Sequence, residues 1–398
     1  MQAVILAAGK STRTYPLTIN KPKVLLRVAN KPVLEYNLDA LNGLVDEVVL
    51  VLGFKKEMVM EYAKKYSERT GLKVKFAFQE EQLGTAHALL CAEKFIDSDF
   101  LVLMGDDIYH PRDLENLIEN KYSVLARKEK NPQRFGIWIT ENSKVTGFQE
   151  KPEKPLSDTA NCGAYCLGKE VFQEIKKLKK SPRGEYELNE AVAGYAERED
   201  VKVCMVEGYW LSIGYPWDVL NANEFFLSKI KETRIEGQVE KNATLKGPVR
   251  IGKNTLVRNG AYIEGPVVIG ENCAIGPNCF IRAFTTIGSS CRIGNAVEIK
   301  NSVIGDSTNV GHLSYVGDSV IGDKVNLGGG TITANLRHDG KNVKSIIKGE
   351  KIDTGRRKLG AVIGDAVHTG IHTSVYPGRK IWPEKTTLPG EIVKKDIV

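Results

Sequence analysis

Arg13 and Lys23 stand in one loop that leaves the first apolar run of the chain, Ala3 to Ala7. One is a planar guanidinium fork and the other a compact ammonium, a combination suited to gripping phosphate oxygens. Leu6, Ala8 and Gly9 lie at the exit of that run, and a residue without Cβ lets the backbone approach an anion closely. The apolar run reads as a buried strand of a parallel sheet, so the loop opens at the carboxyl end of a strand, where open α/β sheets bind ligands. Polyphosphate binding is the predicted chemistry.

Two further clusters carry reactive types. Asp106 follows the apolar strand Phe100 to Met104, a position from which a carboxylate can hold Mg²⁺, or simply form a turn. Its neighbour Asp107 is expected to point the other way, since adjacent residues of a strand alternate. Far along the chain, His312 and Tyr315 bring an imidazole and a phenol into an aliphatic repeat. A lone His there is most simply a surface residue, but histidine is also the side chain best poised to take a proton near neutral pH.

The elements that must position these groups fall into two textures. Over residues 1 to 228, short β-rich runs alternate with helical patterns such as Lys55 to Arg69, which predicts a parallel sheet covered by helices. From Val239 an aliphatic residue recurs every sixth position through Leu245, Ile251, Val257, Ile263 and on to Ile299. The register slips by one at Ile304 and again at Ile321, breaks after Leu327, and returns at Ile363, Val375 and Ile381. A hexapeptide period predicts a parallel β-helix in which three hexads make one triangular coil. The expected division is 1–232 for the α/β domain and 233–398 for the β-helix.

Composition sets the outer limits. The formal charge of +7 on 398 residues is spread among 56 basic and 49 acidic side chains, without the concentrated stripe that nucleic-acid binding demands. Seven cysteines lack metal-ligand spacing, and the first apolar run is too short for a signal or a membrane span, so a cytoplasmic protein without membrane attachment is expected.

The string Leu6-Ala-Ala-Gly-Lys-Ser-Thr-Arg-Thr-Tyr-Pro-Leu-Thr18, followed by Lys21-Pro-Lys23, resembles the signature of the sugar nucleotidyltransferases. Their loop holds a nucleoside triphosphate, and the fold is Rossmann-like α/β. Ser11 stands where that signature usually has a second glycine. The resemblance implies that Gln79, Gln82, Gly84 and Thr85 recognise the nucleobase, and that Gly136, Glu150, Lys151 and Asn161 receive the sugar 1-phosphate. One departure concerns the metal: Gly208-Tyr-Trp-Leu-Ser-Ile-Gly214 carries Ser212 where relatives have a second aspartate ligand. Asp218 is then the substitute ligand, unless substrate phosphates fill the position.

The string Gly311-His-Leu-Ser-Tyr-Val-Gly-Asp318 resembles the acetyltransferase half of bacterial bifunctional N-acetylglucosamine-1-phosphate uridylyltransferases. That resemblance implies His312 as general base for the amine of glucosamine 1-phosphate, with Arg282, Lys300, Tyr315, Asn326, Asn335 and Lys341 binding substrate. Acetyl-coenzyme A is the implied co-substrate, with Gly329, Arg356 and Arg357 as its expected contacts. It further implies a left-handed β-helix that assembles as a homotrimer. A pyrophosphorylase with a structural or regulatory β-helix, of GDP-mannose or glucose 1-phosphate type, is the competing expectation; a non-catalytic scaffold, supported by Ser212 alone, is a third.

Overall fold

A computed structural model describes residues 1–398. They form two compact units: Met1–Lys10 with Val33–Ser212, and Ser11–Pro32 with Ile213–Val398.

The first unit is built on a nine-stranded sheet. Its order is Lys73–Phe78, Glu47–Leu52, Gln2–Ala7, Phe100–Met104, Thr159–Leu167, Ser123–Lys128, Lys202–Met205, Lys144–Glu150, Gly136–Glu141. The first four strands are parallel, as the alternation predicts, with Ile5 opposite Leu50 and Leu103. Thr159–Leu167 then enters antiparallel, so the sheet is mixed rather than wholly parallel. A further antiparallel pair lies at one edge, where Gly136–Glu141 and Lys144–Glu150 are joined through Asn142 and Ser143 alone, both at positive φ. A two-residue turn of that hand can only return the chain antiparallel. Central strand residues such as Val4, Val49, Val102 and Val124 are fully buried, as a strand covered on both faces requires.

The second unit carries the β-helix. Three sheets of eight, six and eight short strands run side by side, each strand pairing in parallel with its equivalent in the next coil. Ile251 pairs with Ile269 and Ile269 with Ile287, one coil of three hexads apart. Ile287 then pairs with Ile304 and Ile304 with Ile321, each one residue short. Both deletions lie in the same corner, at Lys300–Val303 and Gly317–Val320, so the coils stay stacked. Ile251, Val257, Ile263, Ile275, Ile299, Val316 and Ile381 line one narrow core. The break after Leu327 is an excursion: Thr333 pairs with Val375 across an insertion that holds the hairpin Lys344–Ile347/Glu350–Asp353. The architecture is thus a Rossmann-like α/β unit and a left-handed parallel β-helix.

Candidate active sites

Within the second unit, Ser11 takes φ 53, ψ 48, the left-handed conformation that glycine adopts most easily. The side chains of Thr14 and Thr18 both donate to its carbonyl, at 2.7 and 2.9 Å, which holds the turn despite the Cβ. Arg13 is exposed, its guanidinium 5.6 Å from the centre of the Tyr215 ring, and Tyr215 stacks on Trp217 at 4.8 Å. An exposed cation lying on an aromatic pair keeps its fork oriented at low entropic cost. Lys23 is only 7% exposed, and its ammonium donates to the Ile213 carbonyl at 2.9 Å.

In the first unit, the Ala8 carbonyl accepts from the Phe54 amide at 3.1 Å and from Gln82 Nε2 at 2.9 Å. Gly53, which the sequence did not single out, makes this possible, because a Cβ there would lie 2.8 Å from that carbonyl oxygen. Gln79 is buried and donates to the Gly84 carbonyl at 3.0 Å, with His87 Nδ1 also at 3.0 Å. Gly84 has φ 108 and abuts the Tyr186 backbone. Thr85 accepts from the Leu188 amide at 3.0 Å, so its hydroxyl caps the start of helix Leu188–Ala196 rather than its own. The segment expected to read a base is therefore a rigid frame of side-chain to backbone bonds.

Asp106 lies in the turn between Phe100–Met104 and the strand Asp107–Tyr109, so the two aspartates differ in burial because the chain turns between them. Asp107 is buried, and its carboxylate accepts from Trp210 Nε1 at 2.9 Å and Tyr109 Oη at 3.4 Å. Asp106 is half-exposed at the strand end. Asp218 accepts from the Gly214 and Tyr215 amides at 3.0 and 2.7 Å, an anchoring duty at the start of helix Asp218–Ser228. No group of three or more His, Cys, Asp or Glu side chains gathers to hold a metal unaided. A single carboxylate such as that of Asp106 is the kind of donor Mg²⁺ accepts, since the ion keeps several waters and takes one or two carboxylates plus substrate phosphates.

Gly136 carries a packing constraint: a Cβ would lie 2.5 Å from the Phe148 ring and 3.2 Å from Glu150 Oε2. Glu150 pairs with Arg183 at 3.2 Å, and Arg183 also pairs with Glu187 at 2.8 Å. Lys151 sits at φ 43 beside Glu150. Asn161 donates to Tyr165 Oη and to Asn189 Oδ1, while its own oxygen accepts the Gly163 amide. Burial pushes the Tyr165 phenol well above its ordinary value, so it stays a neutral donor. Arg183, Glu187 and Asn189 were missed in the sequence, since only the fold brings residues 183–189 to the strand carrying Asn161.

On the β-helix the expected acetyltransferase residues gather about Asp318, which is 2% exposed. Lys300 Nζ lies 3.1 Å from its carboxylate, Asn301 donates to it at 2.9 Å and Asn335 at 2.5 Å. Asn335 also donates to Tyr315 Oη at 3.0 Å. Gly317 leaves room for that contact, because a Cβ would lie 2.4 Å from the phenol oxygen. Burial raises the Tyr315 phenol above its ordinary value despite the Asn335 bond. In the coils preceding Tyr315, Glu298 pairs with Arg282 at 2.9 Å, and Arg282 lies over the Phe280 ring. His312 is exposed at the preceding corner, opposite Asn295 of one coil and below the bare Gly329 of the next. Arg282 and Lys300 are cations of the kind that hold a phosphate, and His312 is an accessible imidazole.

Other expected residues fall elsewhere. Asn326 lies on a different sheet, in register with Asn309, and Lys341 is exposed in the excursion. Arg356 is engaged by Asn221 and by Glu224, the latter at 2.6 Å, whereas Arg357 is exposed beside Gly340. Glu224 also accepts from Asn301 at 2.9 Å, which joins Arg356 to the Asp318 network.

Residues 2–229 match the family described as nucleotidyl transferase, and residues 263–398 match one described as the GMPPB C-terminal domain. The chain is 42% identical to the bifunctional protein GlmU of Methanocaldococcus jannaschii, over 96% of this chain and 92% of that relative. It is 39% identical to a bifunctional sugar-1-phosphate nucleotidylyltransferase/acetyltransferase of Sulfurisphaera tokodaii, over 100% of this chain and 98% of the relative. A UTP–glucose-1-phosphate uridylyltransferase of Haloferax volcanii is 36% identical over 228 residues, 55% of this chain and 93% of that protein. No helix is long and apolar enough to cross a membrane. Matched to such relatives over nearly the whole length of both chains, the chain belongs to the bifunctional sugar-1-phosphate nucleotidylyltransferase/acetyltransferase family.

Proposed function

We propose that the chain transfers a uridylyl or thymidylyl group to N-acetylglucosamine 1-phosphate or glucose 1-phosphate, and acetylates glucosamine 1-phosphate. In the first reaction an anionic oxygen of the sugar phosphate attacks the α-phosphorus and pyrophosphate leaves, so no general base is needed. Arg13 and Lys23 neutralise the phosphates, Gln79, Gln82, Gly84 and Thr85 frame the base, and Glu150, Lys151 and Asn161 receive the sugar. Asp106 would hold Mg²⁺, which supplies charge neutralisation when bound. In the second, the amine attacks the thioester carbonyl of acetyl-coenzyme A, the C–S bond breaks, and His312 takes the amine proton and returns it to the departing sulfur, so that coenzyme A leaves as the thiol. Arg282 and Lys300 hold the sugar phosphate, and Arg357 is the better placed of the two excursion arginines to meet the cofactor. Residues 1–232 and 233–398 are the corresponding halves in sequence, and a homotrimer in the cytoplasm is the assembly proposed.

The observation that supports the second activity is the Lys300–Asp318–Asn335–Tyr315 network. A specific observation favours a second reading, a pyrophosphorylase with a non-catalytic β-helix: the match of residues 263–398 to the GMPPB C-terminal domain. A panel of nucleoside triphosphates against sugar 1-phosphates, read by pyrophosphate release, separates the nucleotide and sugar choices. Coenzyme A release with glucosamine 1-phosphate separates the two readings.

A further inference from the structure

Three aspartates form a row on one corner of the β-helix. Asp306, Asp323 and Asp365 each follow an Ile-Gly pair, at Ile304, Ile321 and Ile363, whose strands stack in register. Each carboxylate accepts a backbone amide from the preceding coil, from Ser289, Asp306 and Asp323 respectively, all at 2.8 Å. A row of like charges so close repels itself unless cations attend it. Those cations come from the opposite end of the sequence. Lys21 pairs with Asp323 and, at 3.1 Å, with Asp365, while Arg27 pairs with Asp306. Burial opposes the charge on Lys21, yet the two aspartates outweigh it and hold its ammonium above the ordinary lysine value.

The same segment is tied at two more points. Asn30 Nδ2 donates to the Ile287 carbonyl at 2.7 Å, and the Ala29 amide donates to Asn223 Oδ1 at 2.9 Å. Asn223, fully buried, also accepts from Thr286 and donates to the Phe284 carbonyl, so it clamps the segment to two coil residues. Lys21 through Asn30 is thus fastened to the β-helix, and it contains Lys23 and continues from Arg13. This is why Ser11–Pro32 belongs to the compact unit of the β-helix.

We infer that the aspartate row is a positioning device for nucleotidyl transfer: through Lys21 and Arg27 it sets the conformation of the segment carrying Arg13 and Lys23. The β-helix then serves both reactions, one through its corner aspartates and the other through the network about Asp318. The inference rests on the proposed role of Arg13 and Lys23.

The test leaves the coils untouched and alters only the loop side, in the full-length chain, with the double substitution Lys21→Met and Arg27→Met. The expected result is a loss in nucleotidyl-transfer kcat/KM of about 10 to 10²-fold, the scale of a misplaced positioning group. Acetyl transfer stays at its wild-type value, the melting temperature falls as the aspartate row loses its cations, and Lys21→Arg retains activity. Wild-type nucleotidyl transfer by the double variant overturns the inference, and so does a parallel loss of acetyl transfer, which marks a general folding role. Arg13→Ala is measured alongside: full activity in that variant signals failure of the assignment of the loop, not of its anchoring.

Discussion

Lys300 and Asp318 form an ion pair at 3.1 Å whose carboxylate is almost wholly buried and whose ammonium is about one-fifth exposed. Both stand in the corner where the hexad register slips, and the same carboxylate holds Asn335. Asp318→Ala would strand a partly buried ammonium and free Asn335 from its anchor. Breaking such a pair costs about 3 kcal/mol or more, so the melting temperature should fall. In whatever fraction folds, KM for the sugar phosphate in acetyl transfer should rise, because Lys300 is no longer held. An unchanged KM with a lowered melting temperature would confine Asp318 to a structural role.

The adjacent aspartates of the first unit should separate cleanly. Asp106→Asn should remove most metal-dependent nucleotidyl transfer without lowering stability, since a neutral amide cannot replace a carboxylate at Mg²⁺. Asp107→Asn should do the reverse to stability, because its carboxylate accepts from buried Trp210 and Tyr109. Magnesium titrations and thermal melts of the two variants are the measurements. Ser212→Asp should shift magnesium saturation to lower concentration; an unchanged titration would place the second ligand elsewhere.

Arg13→Ala or Lys23→Ala should depress nucleotidyl transfer by several orders of magnitude and leave acetyl transfer intact. Loss of both activities in a folded variant would contradict two separate sites.

Alkaline pH offers a test of the cores. Burial raises the phenols of Tyr36, Tyr109 and Tyr165 far above their ordinary value. The folded chain therefore keeps protons that the unfolded chain releases above about pH 10. Their contribution is fully present below that pH and is lost as pH rises further. Melting temperatures should decline as the pH rises above about 10, and Tyr36→Phe should lessen the decline.

Much of this was legible in the sequence, for physical reasons that differ from place to place. The β-helix was readable coil by coil because every sixth side chain must be aliphatic to fill its core, and even the two slips appear as pairings one residue short. Gly136 was singled out, but the contact that requires it, the Phe148 ring, depends on a hairpin register that spacing alone does not reveal. The mixed sheet was hidden because alternation signals a crossover and is silent about the later antiparallel strands. Asp318 was quoted in a motif without a role, since its duty depends on Asn335 in the following coil. The aspartate row was invisible because its partners Lys21 and Arg27 lie some 280 to 340 residues away in sequence.

The claim that this chain performs two chemistries rests on His312, and acetyl transfer by His312→Ala measures it most directly. Loss of a general base lowers kcat by about 10² to 10⁴-fold with little change in KM, and the residual rate climbs with pH as the amine deprotonates unaided. That is the predicted result, with nucleotidyl transfer untouched in the same preparation. Near-normal acetylation by His312→Ala from about pH 6 to 9, around the ordinary histidine value, would contradict it.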